Sequence, residues 1–160
     1  MSVAFTREED LEAAAAHLPD RPISPHPNLV TPEGLAHLDA AVAAARAAYR
    51  AAQLAGDVQA DRAAMARASR DLRYYAARRA SAQLVLPSPV AGDRVSFGGG
   101  VTFDREDGRR QTFRIVGEDE ADAAQGSVSH ISPLARALLG KRVGDVATVA
   151  GAEVEVVAVL

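Results

Sequence analysis

The sequence predicts an α+β fold, in which an N-terminal antiparallel α-helical coiled-coil hairpin precedes a small antiparallel β domain with one short helix. Between residues 31 and 86, apolar residues recur at alternating spacings of three and four, which is typical of packed helices. From residue 95 onward, apolar and polar residues alternate in short runs broken by glycines, which is typical of strands. We therefore predict three regions: a flexible tail over 1–30, the hairpin over 31–86 and the β domain over 87–160.

The predicted tail is rich in proline in its second half, which reads PDRPISPHPN. Closely spaced prolines favour extended, polyproline-like backbone that buries little apolar surface. Residues 7–17 are suited to a short helix, but isolated helices of this length are marginal in water. The sequence assigns no role to this tail.

The predicted hairpin begins where Thr31 can cap a helix and Pro32 suits its first position. Gly56 can end this first helix, and Asp57 can cap the second. The apolar seam of the first helix comprises Leu35, Leu38, Val42, Ala45, Tyr49 and Ala52, and that of the second comprises Val58, Met65, Ala68, Leu72 and Tyr75. Because both seams contain many alanines, the two helices can approach closely while burying little area.

The predicted β domain starts after the linker Pro87-Ser88-Pro89. Two strands flank a hairpin turn at Asp107-Gly108, and three consecutive glycines at 98–100 suggest a bulge or bend in the first of them. A further strand over 127–131 and a short helix opened by Pro133 follow. The last hairpin turns around Gly151.

The composition excludes several classes of protein. The chain of 160 residues carries 18 Lys and Arg against 21 Asp and Glu, so its net charge of −3 argues against a protein that coats duplex DNA. Cysteine is absent, which excludes disulfides, thiolate metal sites and cysteine nucleophiles. No segment is apolar over the ~20 residues that cross a membrane, and the N-terminus turns acidic within its first ten residues, unlike a secretory signal. We expect a cytoplasmic protein with no membrane partner.

Two carboxylates, Asp57 and Asp61, lie four residues apart at the predicted hairpin tip. On one helical face, such a pair can share a divalent cation with a ligand from outside. The alternative is structural, since Asp57 suits an N-cap and Asp61 suits the positive end of the helix dipole.

The second predicted helix is basic, and Arg62, Arg67 and Arg70 lie in its half nearer the tip. Guanidinium groups bind phosphate in a bidentate manner, so these three residues are candidate nucleic-acid contacts. The alternative is a solvated helix face. On the β domain, the loop GEDEADAAQG (117–126) is either solvated or an acidic surface for a basic partner.

The sequence contains no catalytic constellation. Its four histidines lack metal-ligand spacing, its glycine run lacks the Gly-Lys-Ser/Thr of a phosphate loop, and no Gly-x-Ser-x-Gly turn is present. We therefore predict that the chain is not itself an enzyme.

The most specific motifs of the chain are the runs RIVGEDEAD (114–122) and SPLARALLGKRVGD (132–145). Together with VTFDREDGRRQTFRIVG (101–117), they resemble the C-terminal domain of the bacterial GreA/GreB transcript-cleavage factors, especially the GreB branch. TPEGLAHL (31–38) and LRYYAARRASAQLV (72–85) are similar to the start and end of the coiled coil of that family.

The resemblance implies an FKBP-like C-terminal domain that docks at the rim of the secondary channel of RNA polymerase. The coiled coil then enters the channel, and its acidic tip helps to hold a second Mg²⁺ at the polymerase active centre, near the 3′ end of the nascent RNA. The polymerase itself cuts the backtracked RNA, so the factor needs no cofactor of its own. The docking residues of the family correspond here to Asp119, Glu120, Ala121, Ser132, Pro133 and Leu134.

The tip departs from the family pattern. Asp57 corresponds to the first tip acid, Ala60 stands at the position of the second, and Asp61 follows one residue later, about 100° around the helix. Each arm is shorter by about one heptad, which removes roughly 10 Å of reach. The alternative to a cleavage factor is therefore a non-cleaving, inhibitory occupier of the channel, similar to the Rnk-type regulators.

Two further classes remain open. An FKBP-like fold also suggests a prolyl isomerase, but its apolar aromatic pocket would have to be built from Phe97, Phe103 and Phe113, which alternate like sheet core. The weak heptad seam suggests an oligomerising module as the other class. We expect a monomer.

Overall fold

The structure, a computed structural model, describes residues 18–55, 58–90 and 92–160. The chain divides into two compact units. Among the described residues, the helical unit comprises 18–25 together with 37–55 and 58–81, and the β unit comprises 26–36 together with 82–90 and 92–160. This division differs from the predicted domains, because the residues just before the hairpin and its first turn cluster with the β unit.

The hairpin consists of α1 (Pro32–Leu54) and α2 (Val58–Ser81). Helix α1 starts as predicted, since Thr31 Oγ1 accepts a hydrogen bond from the Gly34 N–H at 3.0 Å. Its buried hydrophobic side chains are Leu38, Ala45 and Ala52, which are spaced by one heptad. Arg79, near the end of α2, bonds Asp39, near the start of α1, so the two helices run antiparallel as predicted.

Residues 18–25 lie against α2 in the helical unit. Asp20 pairs with Arg73 at 2.6 Å, and Arg21 pairs with Asp71 at 3.4 Å. The Arg21 guanidinium also lies 3.9 Å from the centre of the Tyr74 ring. This part of the predicted flexible tail is therefore bound to the helix, whereas residues 1–17, with the predicted short helix, lie outside the described residues.

A second, smaller sheet contains two strands that the sequence did not predict. Strand β1 (Leu29–Val30) pairs in parallel with β2 (Gln83–Leu84). The Gln83 and Val85 N–H groups donate to the carbonyls of Asn28 and Val30 at 2.8 and 2.9 Å. These bonds belong to the β unit and hold the chain just before α1 beside the chain just after α2.

The main sheet has five strands in the order β5-β4-β3-β7-β6. Its strands are β3 (Gly100–Arg105), β4 (Arg110–Val116), β5 (Ser127–Ser129), β6 (Val146–Val149) and β7 (Ala152–Val159). All neighbours are antiparallel except β4 and β5, which are parallel. The predicted fold class is confirmed, but the sheet is mixed rather than wholly antiparallel, because the segment after β4 carries the chain back along the sheet through a single 3₁₀ turn, Ala123–Gln125.

The glycine run at 98–100 forms a bend rather than a bulge. Gly98 has a φ of 81°, which favours glycine, and β3 starts only at Gly100. The register shift of the sheet lies further along, between Thr102 and Phe103, where β3 pairs with β7.

The core of the β unit lies between the sheet and α3 (Pro133–Leu138). Phe103, Ile115 and Leu138 are fully buried there. Phe97 and Phe113 pack against this core, and the rings of Phe103 and Phe113 stack at 6.2 Å. The three phenylalanines therefore fill or border the core, as the alternation of the strands predicts.

Candidate functional site

The structure describes the side chain of neither predicted tip acid. Asp57 lies outside the described residues. Asp61 belongs to the first turn of α2, but its side chain is not described. Their role as ligands of a shared Mg²⁺ therefore stays a prediction.

The half of the hairpin nearer the tip is basic. Arg62 and Arg67 of α2 are exposed, as are Arg46 and Arg50 of α1. The ion pairs found among described residues of the helical unit involve other arginines, and these lie nearer the base of the hairpin. Four guanidinium groups thus face solvent at the part of the hairpin nearer the tip.

Arg70 differs from the other two predicted nucleic-acid contacts. Its side chain is 28% exposed, and its Nε lies 3.8 Å from Asp71 Oδ1. Much of this side chain is packed against the helical unit, so Arg62 and Arg67 present more of their charge to solvent. Arg46 and Arg50 were not singled out from the sequence, although their spacing of four residues places them on one helical face.

The two predicted docking segments leave the sheet at the same end. Strands β4 and β5 are parallel, and Val116 at the end of β4 pairs with Ser129 at the end of β5. The His130 N–H extends this pairing by donating to the Val116 carbonyl at 2.9 Å. Residues 117–121 and 130–134 therefore both emerge from the carboxyl ends of neighbouring strands.

The segment after β5 shapes the start of α3. Ser132 caps this helix by accepting a hydrogen bond from the Ala135 N–H at 3.2 Å. Leu134 packs against the core, whereas Pro133, at the first helical position, is exposed. Of these three predicted docking residues, Pro133 presents the most surface to a partner.

The segment after β4 carries Asp119, Glu120 and Ala121, all of which are half-buried. Asp122 follows and caps the 3₁₀ turn by accepting from the Ala124 N–H at 3.0 Å. Asp119 makes a polar interaction within the protein. The acidic loop is therefore largely ordered by internal contacts.

Glu120 makes the most extensive of these contacts. Its Oε2 accepts hydrogen bonds from the backbone N–H of Thr31 at 3.1 Å and of Gly117 at 3.3 Å. Its Oε1 accepts a short hydrogen bond from the Thr31 hydroxyl. The predicted docking carboxylate thus points at the residue that caps α1.

A second acidic residue lies at the start of α1. Glu33 is exposed, and a hydrogen bond from its own backbone N–H lowers the pKa of its carboxyl. Arg114 of β4, whose Nη2 lies 3.5 Å from Glu33 Oε2, lowers this pKa further. Glu33 therefore carries its negative charge at neutral pH at the positive end of the helix dipole.

The described residues contain no group of three or more His, Asp or Glu side chains that could hold a metal ion. Within the same ranges, no helix is long and apolar enough to cross a membrane.

Comparison with known proteins places the resemblance in the β unit. Residues 89–160 match the family model described as "Transcription elongation factor, GreA/GreB, C-term". The predicted resemblance to the GreA/GreB factors is confirmed over these residues.

Curated relatives match just under half of the chain. The transcription elongation factor GreA of Hyphomonas neptunium is 51% identical over 74 residues, which are 44% of this chain and 46% of that protein. The GreB of Neisseria meningitidis serogroup B is 48% identical over 77 residues, 48% of this chain and 47% of that protein. The chain thus spans about half the length of the curated relatives it matches.

A solved structure resembles more of the chain, but only loosely. The crystal structure of GreA factor homolog 1 (Gfh1) of Thermus thermophilus is 22% identical and covers 84% of this chain and 99% of that one. The TM-score of this superposition is 0.39.

Proposed function

We propose that the chain regulates transcription elongation by binding RNA polymerase at its secondary channel. The β unit docks at the channel rim and the hairpin enters the channel. The observation that carries this proposal is the match of residues 89–160 to the GreA/GreB C-terminal family model. The chain acts on the polymerase and performs no chemistry alone.

The docking surface is the end of the sheet at which β4 and β5 both terminate. Pro133 offers an exposed apolar contact there, with the acidic loop beside it. An acidic surface suits a basic partner segment and speeds its association. Because the Glu120 carboxylate already accepts three internal hydrogen bonds, we assign direct contact to the exposed Pro133 in preference to Glu120.

The basic part of the hairpin supplies contacts to nascent RNA inside the channel. Arg62 and Arg67 can approach the phosphates of its 3′ end, with Arg46 and Arg50 on the neighbouring helix. The tip acids Asp57 and Asp61 would hold the second Mg²⁺ together with the polymerase. That ion would help to activate water for cleavage of the RNA.

A non-cleaving occupier of the channel is the second candidate, because Ala60 stands where the family carries its second tip acid. Asp57 alone gives the ion one carboxylate from this chain. In that case, the hairpin blocks the channel and competes with authentic cleavage factors.

The experiment that separates these functions uses a backtracked elongation complex with labelled RNA, Mg²⁺ and the full chain. Shortened RNA that is lost on Asp57→Ala, but kept in the control Asp107→Ala, identifies a cleavage factor. Intact RNA that is also protected against added GreA identifies an occupier. Intact RNA without protection contradicts binding at the channel.

A further inference from the structure

We propose that Glu120 is a positioning residue, whose carboxylate fixes the first turn of α1 on the loop that follows β4. It acts within the β unit, through Thr31 and Gly34, rather than by touching a partner. The proposal concerns residues that are 89 positions apart in sequence and meet only in the folded β unit.

Two residues, Thr31 and Gly117, donate hydrogen bonds to the Glu120 carboxylate. The backbone and hydroxyl of Thr31 both donate to this carboxylate, one to each oxygen, and the Gly117 N–H adds a third bond. Thr31 is 1% exposed, so its donors have no access to water if Glu120 is withdrawn. The Glu120 carboxylate therefore accepts hydrogen bonds from both donors of the buried Thr31.

Thr31 connects this carboxylate to the helix. While its hydroxyl donates to Glu120, the same oxygen accepts from the Gly34 N–H at 3.0 Å. Its carbonyl accepts from the Leu35 N–H at 2.9 Å, which closes the first helical turn. The orientation of the Thr31 side chain, and with it the cap of α1, thus depends on Glu120.

Gly34 supplies an independent observation, since glycine inside a helix is ordinarily unfavourable. A Cβ on Gly34 would lie 1.9 Å from Glu120 Oε2. The first turn of α1 therefore passes so close to the carboxylate that a Cβ at this position would displace it. Gly117 shows the same closeness on the other side, since its Cβ would lie 2.5 Å from the Leu29 carbonyl.

The positioning role of Glu120 does not depend on the proposed function. Its consequence for binding to the polymerase does rest on the proposed function. The loop proposed to face the polymerase is the loop that holds the start of the hairpin. Docking and the positioning of the first turn of α1 then share one loop.

The test measures the free protein, so it is independent of polymerase binding. Nitroxide labels at Ala36→Cys and Arg109→Cys lie on exposed positions, both in the β unit, and the chain has no other cysteine. Pulsed electron paramagnetic resonance should give one narrow distance distribution in the parent protein. Glu120→Ala removes the acceptor of all three hydrogen bonds, and Thr31→Val removes the hydroxyl, so each should broaden the distribution.

Amide hydrogen exchange provides the second readout. The Gly34 and Leu35 N–H groups both donate to Thr31. Their exchange should accelerate by about tenfold or more in both variants, because the hydrogen bond from the Thr31 hydroxyl to the charged Glu120 carboxylate is lost. Glu155→Gln, at an exposed position on β7, is the matched control and should change neither readout. A narrow, unchanged distance distribution with unchanged exchange in folded Glu120→Ala would overturn the proposal.

Discussion

Gly34 shows at the scale of one residue how a tertiary contact overrides a local preference. Alanine at an ordinary helical position is more stable than glycine by about 1 kcal/mol. At Gly34, the added Cβ would meet the Glu120 carboxylate, which three hydrogen bonds hold in place. Gly34→Ala should therefore lower the free energy of unfolding by about 1–3 kcal/mol, measured by urea denaturation.

The same substitution should change sign when the carboxylate is absent. In a Glu120→Ala background, Gly34→Ala meets no carboxylate and should be neutral or stabilising by up to about 1 kcal/mol. A destabilisation of equal size in both backgrounds would mean that the cost at Gly34 arises elsewhere. The double-mutant cycle thus isolates the contact between the two positions.

Asp104 offers a test of electrostatics on the surface of the β unit. Arg110 lies opposite it on the neighbouring strand and bonds both of its carboxylate oxygens, at 2.7 and 2.9 Å. These bonds lower the pKa of Asp104 below its ordinary value of 3.8. Arg110→Ala should return this pKa toward 3.8, measured by NMR titration of the carboxyl carbon.

The sign of the linked effect on stability follows from that direction. A carboxyl with a lowered folded pKa stabilises the protein above 3.8, and this contribution disappears as the pH falls through the folded value. Arg110→Ala should therefore be less stable than the parent at neutral pH, with a difference that shrinks on acidification. An Asp104 pKa that does not move in Arg110→Ala would show that the pairing is absent in solution.

Sequence reasoning identified some of these single residues and missed others for a physical reason. Thr31 was predicted as a helix cap because capping depends on residues that are near in sequence. Glu120 was assigned to docking, whereas its carboxylate lies on Thr31. A contact across such a separation leaves no local pattern, although the unexplained glycine in the first turn of α1 was a signal that something approaches closely.

At the scale of elements, the predicted heptad seam matches the burial of α1, where Leu38, Ala45 and Ala52 are covered. The parallel pairing of β4 with β5 was missed, because the pattern of a short strand does not reveal the direction of its neighbour. The pairing of β1 with β2 was missed because each strand is only two residues long. The parallel pairing of β4 with β5 determines where the two docking segments leave the sheet.

The segment over residues 18–25 is an element that composition alone misjudged. Its prolines predict extended backbone, but Arg21 adds an ion pair with Asp71 and a cation–π contact with Tyr74. Arg21→Ala should raise the exchange rate of amides in this segment by about threefold to tenfold, as expected for the loss of about 1 kcal/mol. Hydrogen exchange with mass spectrometry measures this change.

Two controls show whether the Arg21 side chain is responsible. Arg46→Ala changes an exposed arginine elsewhere in the helical unit and should leave the segment protected. Arg21→Lys keeps the charge but loses the flat guanidinium that stacks on the ring, so it should give an intermediate rate. Equal protection in all four proteins would mean that Arg21 does not hold the segment on α2.

At the scale of the whole molecule, charge is distributed unevenly along the chain. The net charge is −3, yet the hairpin exposes Arg46, Arg50, Arg62 and Arg67 in its half nearer the tip, and the loop after β4 is acidic. The net charge argues against general binding to duplex DNA. A weakly acidic total is nevertheless compatible with a local basic surface, because exposed charges interact mainly within a Debye length of about 8–10 Å.

This local surface predicts a specific dependence of binding on salt. If Arg62 and Arg67 each neutralise one RNA phosphate, the double variant Arg62→Gln/Arg67→Gln should bind a backtracked elongation complex more weakly. The slope of log affinity against log salt should also flatten by about 1.4, the value for two contacts to a single strand. Fluorescence anisotropy of the labelled factor, titrated between about 50 and 200 mM salt, measures both quantities.

The control for this prediction is Arg109→Gln, because Arg109 is exposed in the β unit and already paired with Asp107 at 2.7 Å. This variant changes the net charge without touching the hairpin, so its salt slope should stay close to that of the parent. Weaker binding with an unchanged slope in the double variant would assign the two arginines to protein contacts instead of phosphates. An unchanged affinity would mean that this face of the hairpin remains in solvent, in which case the β unit alone accounts for binding.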